Sequence, residues 1–496
     1  MKNKKITFFS IMLLTVGSTV GAGIFFKNGT ILGNTGSITL SLISWVIAAF
    51  AIFCIGMTLS EIIKKSGDAN SMGTIGWIKT FCNTSIYRGF RNFMSCLYLP
   101  TTSWFMAFYA TMSLQDSISV YTNFQIPWWV IITIAFFIMV YFYYLSIANK
   151  RVGVIQNNIM VFIKFIPILF SIFGGLIIYA YLGEPQNPVL KVCNAISSSD
   201  KPMTLTKLTP FLGVIASIPA IFFAFDGFYA SSGLYSDLKD KKYFSTGISL
   251  GIIITAIVYL LISLGLLLGA KDGNITSVLS SMPTNVGKAI SFIVEFCIFW
   301  AVLGIINGFA IYSGDFYKSL FKDKDTNKLL VYIKKKFNIE DRRMLALVIT
   351  VFFAITFVLL TICGSFYFHN LYDSTEYYDR ISKSIYQFCD IVSNWTSLIV
   401  FVGIGITLFC AIFKKVFNNK VLWLAVIAIL IITISSVYEI TSSFFNFGTA
   451  IDFQIKNPNT SLIEYLIPSI LQIVFLFLLS GVCFAPYIKS KVLRKI

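Results

Sequence analysis

Three features of this 496-residue chain place polar or backbone-exposing residues where they are costly. The run Gly17-Ser18-Thr19-Val20-Gly21-Ala22-Gly23-Ile24-Phe25 sets three glycines in an apolar stretch, and each glycine in a helix interior costs roughly 1 kcal/mol relative to alanine. A second stretch, Phe222-Phe223-Ala224-Phe225-Asp226-Gly227-Phe228, carries an ionisable residue and a glycine at its middle, and Lys164 stands among Phe162, Ile163, Phe165 and Ile166. An unwound helix exposes carbonyls on the half before the break and N–H groups on the half after it, so one break offers partners to both a cation and an anion. Covalent and metal chemistry lack their usual residues. The single histidine is His369 and the nine cysteines are scattered without paired spacing, so no metal cluster, disulfide framework or histidine-based nucleophile site is expected. With no phosphate loop either, the chain is expected to have no cofactor and not to be an enzyme.

The elements that hold these residues follow from composition. With 56% hydrophobic and only 12% charged residues, the solvent around the chain is lipid. Runs long enough to cross ~30 Å of hydrocarbon recur along it. Twelve are expected, over 7 to 26, 37 to 62, 92 to 113, 127 to 147, 153 to 181, 209 to 234, 245 to 269, 288 to 316, 343 to 366, 386 to 413, 421 to 442 and 465 to 487. If they alternate from a cytoplasmic N-terminus, 29 of the 39 Lys and Arg fall inside and nine outside, Lys27 among the latter, with Lys164 in a span. Acidic residues divide 9 inside, 11 outside and 2 within spans, Asp226 and Glu295. The inside is positive, as a multi-pass protein requires, and both termini are expected to be cytoplasmic. The net charge of +17 therefore reads as topology. Lys334, Lys335 and Lys336 face anionic lipid, and nucleic acid is not implied. Lys2, Lys4 and Lys5 ahead of the first apolar run mimic a signal peptide, but eleven further spans favour an uncleaved first helix.

Gly17 lies about ten residues, or ~15 Å, into the first span, near the bilayer midplane. Unwound backbone at that depth is tolerated where it lines a cavity. Alternatively, Gly17 and Gly21 form a G-x-x-x-G packing face. A matching interruption in the sixth span favours the cavity, because breaks at spans one and six fit two five-helix halves of opposite topology with the site between them. The expected organisation is 1–182 for the first repeat (spans 1 to 5), 209–413 for the second (spans 6 to 10), 421–487 for two peripheral spans and 488–496 for a basic cytoplasmic tail.

The sequence resembles the amino acid–polyamine–organocation permeases, which have the leucine-transporter fold. The resemblance is carried by the Gly17 to Phe25 motif, Leu59-Ser60-Glu61 at the inner end of span 2, Gly153 to Leu169 with Lys164 before Pro167, and Phe222 to Phe228 of span 6. One departure is Asp237-Leu238-Lys239-Asp240-Lys241, where members commonly carry Glu with Lys-Asn-Pro. The resemblance implies an all-α integral membrane protein with twelve transmembrane helices, a 5+5 inverted repeat with broken helices 1 and 6, and two peripheral helices. It implies a secondary active amino acid permease of the cell membrane working by alternating access. Proton-coupled symport is the expected mode, with exchange or a transport-inactive sensor as alternatives. The composition, rich in Lys, Ile, Asn and Phe, hints at an AT-rich bacterial genome.

In that reading the substrate α-carboxylate meets the backbone of Thr19, Gly21, Ala22 and Gly23. Its ammonium meets carbonyls near Val16 and Gly17, and those around Phe223 and Ala224. Selectivity comes from Phe225, Asp226 and Phe228, with Tyr98, Thr101, Ile305 and Asn394 facing them by analogy. Asp226 is either the N-cap of the following half-helix, a counter-charge for a cationic substrate, or a proton carrier. Lys164 either snorkels to the inner interface or, as the resemblance implies, points to the break in span 1 and stands where related transporters bind sodium. Stripped of water there, its ammonium can exchange protons, which implies sodium independence. Glu295 reads as interfacial, with a coupling site as the alternative, Trp128 and Trp129 as interface anchors, and spans 11 and 12 as packing or homodimer surfaces.

Overall fold

The computed structural model describes residues 12, 15–17, 19–21, 23–67, 69, 73–122, 124–189, 202–228, 244–280, 285–322, 341–367, 380–458 and 462–492. After a first helical segment around 15–17, helices α1 (Gly23–Thr35), α2 (Ile38–Ser66), α3 (Thr74–Phe81) and α4 (Thr84–Phe93) lead through a π turn at Met94–Tyr98 into α5 (Leu99–Ser119). There follow α6 (Trp128–Ala148), α7 (Lys150–Ile163), α8 (Phe165–Leu182), α9 (Pro210–Phe225), α10 (Phe244–Gly269) and the short α11 (Ile275–Ser280). The chain closes with α12 (Asn285–Lys322), α13 (Arg342–Ser365), α14 (Arg380–Phe413), α15 (Asn419–Lys456) and α16 (Leu462–Val492).

Among the described residues there is no strand, and nine helices are long and apolar enough to cross a membrane: α2, α6, α8, α10, α12, α13, α14, α15 and α16. The 21-residue α5 is absent from that set because it is polar, carrying Thr101, Thr102, Ser103, Thr111, Ser113 and Gln115, all buried. A helix wrapped in protein need not match lipid, so hydropathy understates it. α5 packs along α12, α1 along α9, and α10 against both α2 and α8, around one continuous apolar core.

Prolines set the irregular points. Pro100 has no N–H to offer the carbonyl four residues back, and its ring crowds that carbonyl. The preceding turn widens accordingly, and Leu99 N–H reaches Met94 O. Pro167 acts likewise on the turn before it, dividing the expected fifth span into α7 and α8 with Lys164 at the joint. The limits of two expected spans move outward. The helix after the first break runs on to Thr35, where Gly36 at φ +68° ends it, and α15 continues fourteen residues past the expected 442 to Lys456. The expected basic loop at Lys334–Lys336, His369 and the Asp237–Lys241 segment lie outside the described residues.

Candidate functional site

Two chain interruptions meet inside the bundle. In the first, Val20 N–H still closes a helical bond on Val16 O at 2.8 Å; Val20 and Gly21 then leave the helix, and α1 begins at Gly23. In the second, α9 ends at Phe225, Asp226 adopts an extended backbone (φ −60°, ψ 135°), and Gly227 follows at φ +102°. A residue with a Cβ rarely adopts that angle, which is why the glycine directly after Asp226 permits the turn. The two segments touch at a glycine: a Cβ on Gly23 would lie 2.6 Å from Ala224 Cα, a backbone atom that cannot yield without moving the helix.

The carbonyls freed by the first break have side-chain donors. Lys164 Nζ donates to Gly17 O at 2.5 Å and to Val20 O at 3.1 Å, and the side chain is buried rather than extended toward an interface. The Tyr259 hydroxyl, on α10, lies 2.8 Å from Thr19 O and 2.9 Å from Ala224 O, so one phenol bridges both breaks. Thr19 turns its own hydroxyl back to Thr15 O. Of the carbonyls expected to meet an ammonium, Val16 O holds Val20 N–H, Gly17 O holds Lys164, Phe223 O holds Asp226 N–H and Ala224 O holds Tyr259. Each keeps a second lone pair.

Asp226 is the acidic group at this junction. Its Oδ2 accepts from the Tyr98 hydroxyl at 2.7 Å and from the Ser397 hydroxyl at 2.8 Å, so π turn, α9 and α14 converge on one carboxylate. The residues after Phe228 that an N-cap would serve lie outside the described residues, as does Ala22. Around the junction, Phe225 packs on Tyr259 and Trp45, while Phe222 and Phe228 stack on Phe401. Gly17 faces open space, and a Cβ on Gly21 would lie 3.0 Å from the tip of Ile305. Of the analogues of facing positions, Ile305 reaches the break, Thr101 bonds its own helix at Leu97 O and Tyr98 O, and Asn394 Oδ1 is buried without a hydrogen-bond partner.

The structure corrects four charge placements. Lys27 does not lie in an outer loop: it is wholly buried on α1, with Nζ 2.5 Å from Asp390 Oδ1, 2.7 Å from Ser393 Oγ and 3.2 Å from the Tyr109 hydroxyl. The same ammonium sits 4.6 Å from the Phe223 ring centre. Asp390 and Glu439, counted above with outer acidic residues although they fall within the expected runs 386 to 413 and 421 to 442, belong to α14 and α15, and Glu439 accepts from the Trp395 indole at 2.9 Å. Glu295 is not interfacial but buried, 2% exposed, on α12, a helix that packs against α5, α6, α7 and α8. Lys27 escaped the sequence reading because a lysine just past an apolar run resembles a helix end. The signal that placed it within a helix was Ile31, Leu32 and the glycine at 36, which prolong the apolar pattern by two turns. Tyr259 and Ser397 carried no signal, each being one polar atom in an apolar span.

The sequence matches the family described as Amino acid permease over residues 6–485. It is 30% identical over 450 residues to an uncharacterized protein of Mycoplasma pneumoniae, covering 84% of this chain and 78% of that protein. Over 277 residues it is 25% identical to the branched-chain amino acid permease BcaP of Bacillus subtilis, covering 51% of this chain and 52% of BcaP. A methylthioribose transporter of the same organism is 26% identical over 322 residues, 61% of each chain. In fold, the structure is similar to MhsT, crystallised in complex with L-phenylalanine, at a TM-score of 0.50 and 14% identity over 86% of this chain and 97% of that one. It is likewise similar to a mutant form of a manganese transporter of Eremococcus coleocola, at a TM-score of 0.50 and 15% identity over 97% of this chain and 94% of that one.

Proposed function

Because this chain belongs to the amino acid permease family and is a multi-pass membrane transporter rather than an enzyme, we propose that it moves an amino acid as a secondary active, sodium-independent transporter working by alternating access. The observation that carries this reading is the Lys164 ammonium on Gly17 O and Val20 O. A fixed cation then occupies the carbonyls that a metal ion would otherwise require, and proton exchange on that amine is the coupling step. The substrate carboxylate lies at the N-terminal end of α1, where Gly21, Ala22 and Gly23 leave N–H groups accessible and the helix dipole favours an anion. The α-ammonium lies against the second lone pairs of the Phe223 and Ala224 carbonyls, and Asp226 faces the side chain of a cationic substrate.

On the other side of the site, the Lys27–Asp390 pair joins α1 to α14. With Phe223 beneath the lysine, this contact closes the path, and its opening is one arm of the cycle. The expected halves, 1–182 and 209–413, supply one break each. A resemblance to both an amino acid permease and a methylthioribose transporter leaves the substrate to be measured, and the zwitterion fits the paired backbone termini best. Both termini are proposed to lie in the cytoplasm of a bacterial cell.

The test is uptake into proteoliposomes from a panel of the common amino acids, with and without a proton gradient and with and without sodium. Wild type is expected to accumulate substrate with an inward proton gradient in sodium-free buffer. Lys164→Ala is expected to lose gradient-driven accumulation while still binding substrate. A sodium requirement in wild type, or full accumulation by Lys164→Ala, refutes the coupling role.

A further inference from the structure

Away from the site just described, α6, α7 and α12 enclose a groove of about 650 Å³ whose walls are almost wholly apolar. Phe137 and Ile159 on its rim are exposed, and Trp300 and Met160 lie deeper. Exposed apolar walls alone describe any lipid-facing surface. Two further observations distinguish this one.

The first is Gln156, the polar amide in the lining. Its Nε2 is 2.8 Å from the Tyr141 hydroxyl, and its buried Oε1 has no hydrogen-bond partner. If the amide is turned over, the tyrosine donates to Oε1 and the NH₂ group is left without an acceptor, so in either orientation a polar group of this side chain awaits a partner. The second is Arg151, exposed at the start of α7. Arg151, Ile155 and Ile159 are spaced four apart and form one ridge, which puts the Arg151 backbone about 12 Å along the helix from Ile159 at the groove rim, with Gln156 between.

A cation at the membrane edge, a hydrogen-bonding group one to two turns deeper and an apolar slot beyond them match, in order, the phosphate, the ester and the acyl chain of a phospholipid. We propose that this groove is a binding site for an anionic phospholipid of the leaflet on the Arg151 side. One acyl chain lies against Phe137, Met160 and Trp300, an ester carbonyl accepts from the Gln156 NH₂ group in the orientation in which Tyr141 donates to Oε1, and the headgroup phosphate pairs with Arg151. Lys150, the neighbouring base, is already committed to Asp315 at 2.5 Å, which leaves Arg151 as the headgroup contact.

The site backs onto the transport machinery. On α12, a Cβ at Gly304 would meet Met160 Cβ at 2.9 Å, and the next residue, Ile305, is the one that reaches Gly21. The same seam is held by Asn307, which donates to Gly153 O at 2.7 Å and accepts from Ser146 at 2.6 Å. A chain filling the groove therefore braces the wall behind the first break.

Trp300 supplies the readout, and it does not depend on transport. The full-length protein is reconstituted with dibrominated phosphatidylglycerol or dibrominated phosphatidylcholine. Quenching assigned to Trp300 is the difference between wild type and Trp300→Phe. Quenching by the anionic lipid is expected at about one fifth of the mole fraction needed for the zwitterionic lipid, and Arg151→Gln is expected to remove the difference. Native mass spectrometry of the detergent-purified protein, counting retained phosphatidylglycerol in wild type, Arg151→Gln and Gln156→Leu, gives the same answer if Trp300→Phe does not fold; both variants are expected to retain less. Equal quenching by the two lipids, a preference that survives Arg151→Gln, or undiminished retention in both variants overturns the site and leaves ordinary boundary lipid.

Discussion

At the scale of single residues, the junction is governed by which groups answer each charge. Asp226 receives two hydroxyls, from Tyr98 and Ser397, and hydrogen bonds to a charged acceptor contribute roughly 1.5–3 kcal/mol each. These donors hold the carboxylate in a fixed place, which is what recognition of a substrate cation requires and what a simple helix cap does not. Asp226→Asn is therefore expected to lower uptake of lysine and arginine about tenfold or more while retaining leucine uptake within about threefold. An equal loss for cationic and neutral amino acids would instead mark Asp226 as structural. The glycines and Asp226 were legible in the sequence because each violates the rules of an apolar helix. Tyr259 and Ser397 were not, since a lone hydroxyl in an apolar run violates nothing; their importance comes only from what the fold brings opposite them. Lys27 was misplaced for the converse reason: its charge looked like a boundary, and its partner stands 363 residues away.

At the scale of elements, the Lys27–Asp390 contact fastens α1 to α14. The Lys27 side chain has no exposure and that of Asp390 retains 26%, so removing one partner strands the other in a poorly solvated place, at about 3–5 kcal/mol. Lys27→Met alone is expected to lower the melting temperature of the purified protein, and Lys27→Met with Asp390→Leu to recover most of the loss, because the apolar pair leaves no buried charge. If the double variant melts no higher than the single one, the contact is held by Ser393 and Tyr109 instead. Elements were largely readable from hydropathy: α2, α6, α10, α13 and α14 cover the expected runs with ends shifted by a few residues. The exceptions have local causes. The third run was legible despite the polar lining of α5, with its end moved from 113 to Ser119; the fifth run is split by Pro167, and α1 outlasts its apolar core.

At the scale of the whole molecule, charge asymmetry carries the orientation. With 29 of 39 basic residues on one side in the twelve-span reading, we propose that the N-terminal lysines and the C-terminal basic tail share a compartment. Single cysteines placed at Lys4 and Lys491 in a cysteine-free background are expected to react with an impermeant maleimide only from the cytoplasmic face. Labelling of the two ends from opposite faces would require an odd number of spans, and so an odd number of helices outside the five-plus-five core rather than two. The nine apolar helices among the described residues set a lower bound compatible with that arrangement.

The phenol of Tyr259 has a consequence for how such a molecule keeps its two interruptions in step. It owns a single hydrogen, yet two carbonyl oxygens, Thr19 O and Ala224 O, wait for it at 2.8 and 2.9 Å. Demand exceeds supply by one, so at any instant one oxygen is served and the other is not. Distances this nearly equal make the contest close to even, and a displacement of a few tenths of an ångström decides it. The residue thus compares the positions of two chain segments far apart in sequence, and shifts its allegiance when they slide.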